Sequence, residues 1–302
     1  MDKAMIVFDR RALRRQRARA AAGFARHDFL ARAGAERLAD RLADMRPRFG
    51  RVLELGAHGA ILRDQVGTGI GTDIYVAADI APAMVATAAA PRVTADEEAL
   101  PFAPDSFDAV LSNLSLHWVN DLPGALAQIR RILRPDGLLL ASLLGGRTLE
   151  ELRLCLLEAE SEVAGGASPR VSPSMETRDA GALLQRAGFA LPVADADLID
   201  VSYPDALALM RDLRGMGETN ATAGRTRRFT RREVVLRAAA IYARRFARPD
   251  GRIRASFEIV TLTGWAPAPS QPQPLRPGSA AARLADALGV AEIPAGDKAP
   301  RG

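Results

Sequence analysis

The stretch Arg51-Val-Leu-Glu-Leu-Gly-Ala-His-Gly-Ala60 decides the fold. Val52 to Leu55 reads as a short, fully buried strand that runs into a glycine turn at Gly56. A helix starting near Ala60 follows, with Ile61, Leu62 and Val66 as its inward face. Strand, glycine turn and helix together open a βαβ nucleotide-binding unit. Glycine suits the turn because the backbone must bend sharply and approach a ligand with no Cβ in the way. A full dinucleotide fingerprint would carry further glycines at His58 and Ala60, so the loop alone reads equally as a plain strand-to-helix turn.

The neighbouring segments weigh the two readings. Ile74-Tyr-Val-Ala-Ala78 is a second apolar run, and it ends in Asp79, 25 residues after Glu54. An acid closing the second strand at about that distance accepts hydrogen bonds from ribose hydroxyls in such folds. Asp96-Glu-Glu98 precedes Leu100-Pro-Phe102, and Ser106-Phe-Asp-Ala-Val-Leu-Ser112 supplies another strand-like run. We expect strands near residues 52–55, 74–78, 92–94, 107–112 and 137–144. Helices are expected near 60–66, 82–89 and 122–133, the last stopped by Arg134-Pro-Asp-Gly137. This alternation predicts an α/β doubly wound, mostly parallel sheet, with ligands bound beyond the carboxyl ends of its strands. Gly56, Asp79, Asp96 and Asn113 all fall at such ends.

Glu54-Leu-Gly56, Asp79, Asp96-Glu-Glu-Ala-Leu-Pro-Phe102 and Phe107-Asp-Ala-Val110 resemble a class I (Rossmann-like) S-adenosylmethionine-dependent methyltransferase domain. Phe8-Asp-Arg10, Leu114-Ser-Leu-His-Trp-Val-Asn-Asp-Leu-Pro123, Ser168-Pro, Ser172-Pro173 and Gly215-Met-Gly-Glu-Thr-Asn220 resemble the complex I assembly factor 5 family, as a bacterial member. That resemblance spans roughly Phe8 to Trp265. It implies S-adenosylmethionine as cofactor, a protein substrate in respiratory complex I, and hydroxylation of an arginine as an alternative to methyl transfer. A carrier-protein O-methyltransferase and a non-catalytic assembly chaperone are the other readings. It implies a bacterial cytoplasmic location, peripheral to the inner membrane during assembly.

Residue by residue, Asp79 is the candidate ribose ligand and Asp96 the candidate acceptor for the adenine amino group, with Glu97 beside it. Gly56, Ala57, Ile80 and Asn113 complete the candidate cofactor set. Glu54 either fixes the loop or binds an ammonium group. His58 either narrows the pocket or points to solvent. His117, Trp118 and Asp121 follow the fourth strand, where the reacting group would sit. Histidine suits a base and tryptophan a wall for a flat group. His117 and Asp121, four apart, are also spaced to hydrogen-bond one another. Glu218 and Asn220 are possible substrate-facing groups on a loop.

Composition narrows the field. The 302 residues suffice for one substantial core with appendages, and no apolar run reaches a membrane span. One cysteine, Cys155, excludes a disulfide framework, and three dispersed histidines suggest no metal site. The net charge of +5 hides a segregation. Residues 1–51 carry 14 Lys/Arg against 6 Asp/Glu, and residues 225–254 carry 11 against 2. The intervening 52–224 carries 12 against 24. The basic segments read either as solvated helix faces or as a surface for an acidic partner or a membrane face. They lack aromatic platforms, which argues against nucleic acid.

The chain therefore divides into a basic N-terminal helical cap (1–50), a methyltransferase-like domain (51–265) and a Pro/Ala-rich, disordered tail (266–302). Arg10 to Arg26 has the arginine, alanine and lack of acids of a mitochondrial presequence. Its place inside the matched region assigns it to the cap instead. Helices are expected over 149–163 and 179–187. Residues 197–203 and 257–265 should pair as an antiparallel C-terminal hairpin, with helices inserted between them at about 204–247. Residues 279–288 are expected to form a short amphipathic turn.

Overall fold

A computed structural model describes residues 6–45, 48–67, 69–89, 91–272 and 283–291. The chain has two compact units, residues 1–268 and 269–302. The first holds a sheet of seven strands: β1 (Arg51–Leu55), β2 (Ile74–Asp79), β3 (Arg92–Thr94), β4 (Phe107–Asn113), β5 (Leu133–Leu144), β6 (Ala190–Tyr203) and β7 (Ile253–Trp265). Their order is β3-β2-β1-β4-β5-β7-β6. The first five are parallel, and β7 runs antiparallel between β5 and β6. The strand order reverses between β1 and β4, and ligands of open α/β sheets bind outside such a switch point.

Helices cover both faces because strands buried on two sides leave no polar face for water. On one face α5 (Leu122–Ile132) and α7 (Thr177–Arg186) bury Leu126, Ile129 and Leu184 against Leu53, Val110 and Leu139. On the other, α2 (Phe29–Met45), α3 (Ile61–Val66) and α4 (Pro82–Val85) pack Leu38, Leu62 and Met84 over Val52, Leu111 and Leu140. A further cluster joins α6 (Glu150–Ala164), α8 (Ala206–Met216) and α9 (Arg232–Phe246) to Phe257 and Ile259 of β7. The N-terminal α1 (Arg10–Ala20) is capped by Asp9, whose carboxylate accepts from the Ala12 amide at 2.9 Å.

Several boundaries differ from expectation for local reasons. Residues 82–89 form only the short α4. The Thr87 hydroxyl takes the Met84 carbonyl, and Arg92 takes those of Ala86 and Ala88, so the chain turns away. β5 begins at Leu133 rather than 137, because Leu133 pairs with Phe107 before the register shifts. Asp136, at φ 64°, turns within that irregularity. β6 begins at Ala190, seven residues before the expected strand. Pro192 interrupts its pairing there, which an edge strand tolerates.

In the second unit, Leu284–Leu288 forms one short helix, α10. Residues 273–282 and 292–302, most of the expected tail, lie outside the described residues.

Candidate functional site

At the end of β1 the chain turns at Gly56 with φ 73°, and a Cβ there would overlap the Ser115 side chain. Only glycine fits both conditions. The amides of Gly56 and Ala57 both donate to the Ala78 carbonyl, at 2.8 and 2.9 Å. The turn therefore offers a cradle of backbone rather than free donors. Beneath it Glu54, 1% exposed, accepts from the Tyr75 hydroxyl at 2.9 Å. Burial pushes the Glu54 carboxyl up to about 8, against the pull of that hydrogen bond.

Asp79 ends β2, 1% exposed, with Oδ1 accepting from the Ala81 amide. Its Oδ2 accepts from Arg17 of α1 at 2.9 Å, and Arg17 is itself fully buried. Burial raises the Asp79 carboxyl to about 6, and Arg17 opposes that rise. Beyond β3, Arg10 of the same helix donates to both Asp96 and Glu97. Ser115 also donates to Glu97. Burial alone would raise Glu97, but Arg10 and Arg17 outweigh it and hold the carboxyl below its usual value.

The remaining sequence candidates take varied places. Ile80 and Ala57 are buried beside the turn. Asn113 is tied up: its amide donates to the Ala31 carbonyl at 2.7 Å, and its oxygen accepts from Ser142. It fastens α2 to the sheet. His58 neither narrows a pocket nor meets solvent. It is buried, stacked on Phe24 at 5.3 Å between ring centroids, and burial lowers it to about 4, so the ring is neutral. Asp121 does not reach His117; it is the N-cap of α5 and accepts from the Gly124 amide at 2.9 Å. A cap residue must point back along its own helix, which turns it from the site.

His117 and Trp118 instead meet Glu218, from the loop after α8, at 3.2 and 2.9 Å. Both donors reach the same oxygen, Oε2. The Leu144 amide faces His117 Nδ1 at 3.5 Å, which leaves Nε2 as the nitrogen carrying hydrogen toward Glu218. Burial alone would raise Glu218; His117 and Arg17 outweigh it and keep the carboxyl low. These three side chains line a cavity of about 760 Å³, together with Asn220, Arg211, Arg214 and Phe229. That size suits a small ligand or an inserted side chain.

Arg10 and Arg17 were absent from the sequence candidates. Their signal was present: they stand seven apart, two turns along one helix face. A helix face does not say which acids it will meet.

Residues 53–141 match the family model described as a methyltransferase domain. The fold is similar to the YcgJ protein of Bacillus subtilis (TM-score 0.54, 14% identity), over 77% of this chain and 99% of that one. It is also similar to a Bacillus halodurans protein described as a methyltransferase (TM-score 0.53, 15% identity), over 76% and 99%. Sheet order, glycine turn and these similarities define a class I methyltransferase fold. Over 296 residues the chain is 38% identical to the arginine-hydroxylase NDUFAF5 of Danio rerio, covering 96% of this chain and 92% of that one. To the Homo sapiens protein of that name it is 41% identical, covering 91% and 81%. A malonyl-[acyl-carrier protein] O-methyltransferase of Laribacter hongkongensis is 38% identical over 83% and 87%. The chain belongs to the complex I assembly factor 5 (NDUFAF5) family.

Proposed function

We propose that this chain binds S-adenosylmethionine and modifies an arginine side chain on a subunit of respiratory complex I, by hydroxylation. The observation that carries the substrate assignment is Glu218. A carboxylate kept ionised at the wall of a cavity, with both its bonds on Oε2, leaves Oε1 for an incoming guanidinium. Trp118 backs it, and His117 fixes its rotamer. The reaction itself is taken from the name carried by the relatives of similar length. Inserting an oxygen would draw on dioxygen and a two-electron reductant.

The residues fit the cofactor. Gly56 turns where a Cβ would collide with Ser115, which keeps the loop tight against the strand ends, and Asp79 and Asp96 offer carboxylates to ribose hydroxyls and an adenine amino group. In methyltransferases of this fold, bound S-adenosylmethionine supplies an electrophilic methyl group. This chain's own residues bind and orient: Asp79 and Asp96 fix the nucleoside, Glu54 and Tyr75 stiffen the turn, and Glu218 holds the acceptor side chain.

Protein substrates need a docking surface. Arg227, Arg228, Arg231 and Arg232 are exposed around Phe229, whose side chain is fully exposed at the cavity rim. We assign this loop to an acidic face of the partner protein. The same arginines, with Arg211 and Arg214 along the cavity, favour one second reading: O-methylation of an acidic carrier protein. Among the described residues no helix is long and apolar enough to cross a membrane. We place the chain in the bacterial cytoplasm, at the inner membrane face only while complex I is assembled.

Peptide mass spectrometry of complex I, from cells with and without this gene, tests the proposal. An arginine that loses the mass of one oxygen atom on deletion is the expected result. Loss of a methyl group instead would restore plain methyl transfer. An unchanged complex I would sink the assignment and send the carrier protein to assay.

A further inference from the structure

The acids assigned to the cofactor are covered, Asp96 and Glu97 by Arg10 and Asp79 by Arg17. Asp79, Glu97, Gly56 and Ala57 are buried, and Arg17 lies over them at 0% exposure. Its Nη1 donates to Asp79 Oδ2 at 2.9 Å and to Ser115 Oγ at 3.2 Å, and its Nη2 to the Leu114 carbonyl at 3.3 Å. Its Nε is buried without a partner. Ser115 is also the residue that leaves no room for a Cβ on Gly56. The guanidinium thus lies between the acid assigned to the ribose and the turn assigned to the cofactor's amino-acid end.

A ligand whose hydroxyls take Asp79 competes for the carboxylate that hydrogen-bonds Arg17, a charge that cannot be given up. A guanidinium stays protonated, and a buried charge without a counter-ion is strongly penalised. The other acids nearby, Glu97 and Glu218, feel the charge of Arg17 but make no hydrogen bond to it. Glu97 is held by Arg10 and Ser115, and Glu218 by His117 and Trp118. S-adenosylmethionine brings one carboxylate of its own, at the amino-acid end. A planar fork of donors with an unpaired Nε matches a carboxylate in two-point geometry.

We propose that Arg17 is the carboxylate-binding residue of the cofactor site, resting on Asp79 in the free protein and passing to the ligand's carboxylate on binding. The inference rests on the cofactor reading above. It makes α1 part of the site and explains why a basic cap lies over an acidic pocket. It also makes the carboxylate end, and not the nucleoside alone, the group that opens Asp79 to the ribose.

Calorimetry on the full chain separates the cases with two ligands. S-adenosylhomocysteine carries the carboxylate, and 5′-methylthioadenosine has the same nucleoside and thioether without it. Arg17→Met should weaken S-adenosylhomocysteine at least ~10-fold, the loss expected for charge-assisted hydrogen bonds, and should not weaken 5′-methylthioadenosine, which no longer has to displace the guanidinium from Asp79. Arg17→Lys, which keeps the charge but not the fork, should give a smaller loss confined to the same ligand. If melting curves show that Arg17→Met does not fold, the ratio of the two affinities in Arg17→Lys decides alone. Equal losses for both ligands would reduce Arg17 to a support, and no loss would place the carboxylate elsewhere; either overturns the proposal. Wild-type protein that binds neither ligand would instead overturn the cofactor reading, and this inference with it.

Discussion

Gly56 and Asp79 lie far apart in the chain and meet because β1 and β2 run parallel, in a register that sets Leu55 against Ala78. That register brings every strand-end group to one edge of the sheet. At this scale two substitutions separate the two halves of the site. Asp79→Ala should abolish measurable S-adenosylmethionine binding by calorimetry; retained affinity would remove Asp79 from the assigned site. Glu218→Gln keeps shape but loses the charge that a guanidinium needs, so substrate KM should rise about 10- to 100-fold, the weight of a hydrogen bond to a charged group. S-adenosylhomocysteine affinity should stay unchanged. A fall in that affinity as large as the rise in KM would place Glu218 in the cofactor half. Where Gly56 and Asp79 sit in the fold was local and therefore legible. Asp79 and Gly56 announce themselves by position at strand ends. The role of His58 did not, because whether an imidazole stacks on Phe24 depends on the segment linking α1 to α2, distant in sequence.

Elements were legible where periodicity and caps agreed. α5 has Asp121 at its cap, Pro123 in its first turn and Ala125, Leu126, Ile129 and Ile132 on one face, so its start was clear. Asp121 doubled as a site candidate because a cap and an acid near a strand end look alike in sequence. The two roles give different outcomes. Asp121→Ala should cost about 1 kcal/mol of stability, the usual weight of an N-cap. Ligand affinities and turnover should not change. A turnover loss without a melting shift would return Asp121 to the reacting set. β6 and β5 were longer than expected because a strand's extent is fixed by its partner. Residues such as Leu133 pair across the sheet through register, which no local pattern encodes.

Across the whole molecule, the basic segments and the acidic body answer one another. Arg10 and Arg17 reach Asp96, Glu97 and Asp79. Arg37 and Arg41 reach Asp197 and Asp195, and Arg237, Arg245 and Arg248 reach Glu162, Glu158 and Asp200. Much of the segregated charge is thus internal pairing, and the loop around Phe229 keeps its arginines exposed. Such exposed pairs contribute little each, whereas the buried groups control pH response. Glu54 is raised in the folded protein to about 8, so it holds more protons folded than unfolded between its ordinary value and that pH. Its contribution to stability is complete at low pH and is lost as pH rises toward 8. Each tenfold difference in proton affinity is worth about 1.4 kcal/mol, so the loss is a few kcal/mol. Glu54→Gln should therefore melt higher than wild type at pH 8 and converge with it near pH 5. Parallel melting curves across that range would show that Glu54 does not titrate on unfolding.

The order of strands and helices, the glycine turn, the acid closing β2 and the family were set down in the sequence itself, because each depends on neighbours within a few residues or on a short motif. What only the tertiary structure decided was who meets whom. Arg17 on Asp79, Arg10 on Glu97, and Glu218 between His117 and Trp118 join residues 62, 87 and about 100 positions apart. A buried charge must find its partner wherever the packed chain brings one, and that is a property of the fold rather than of any stretch of it.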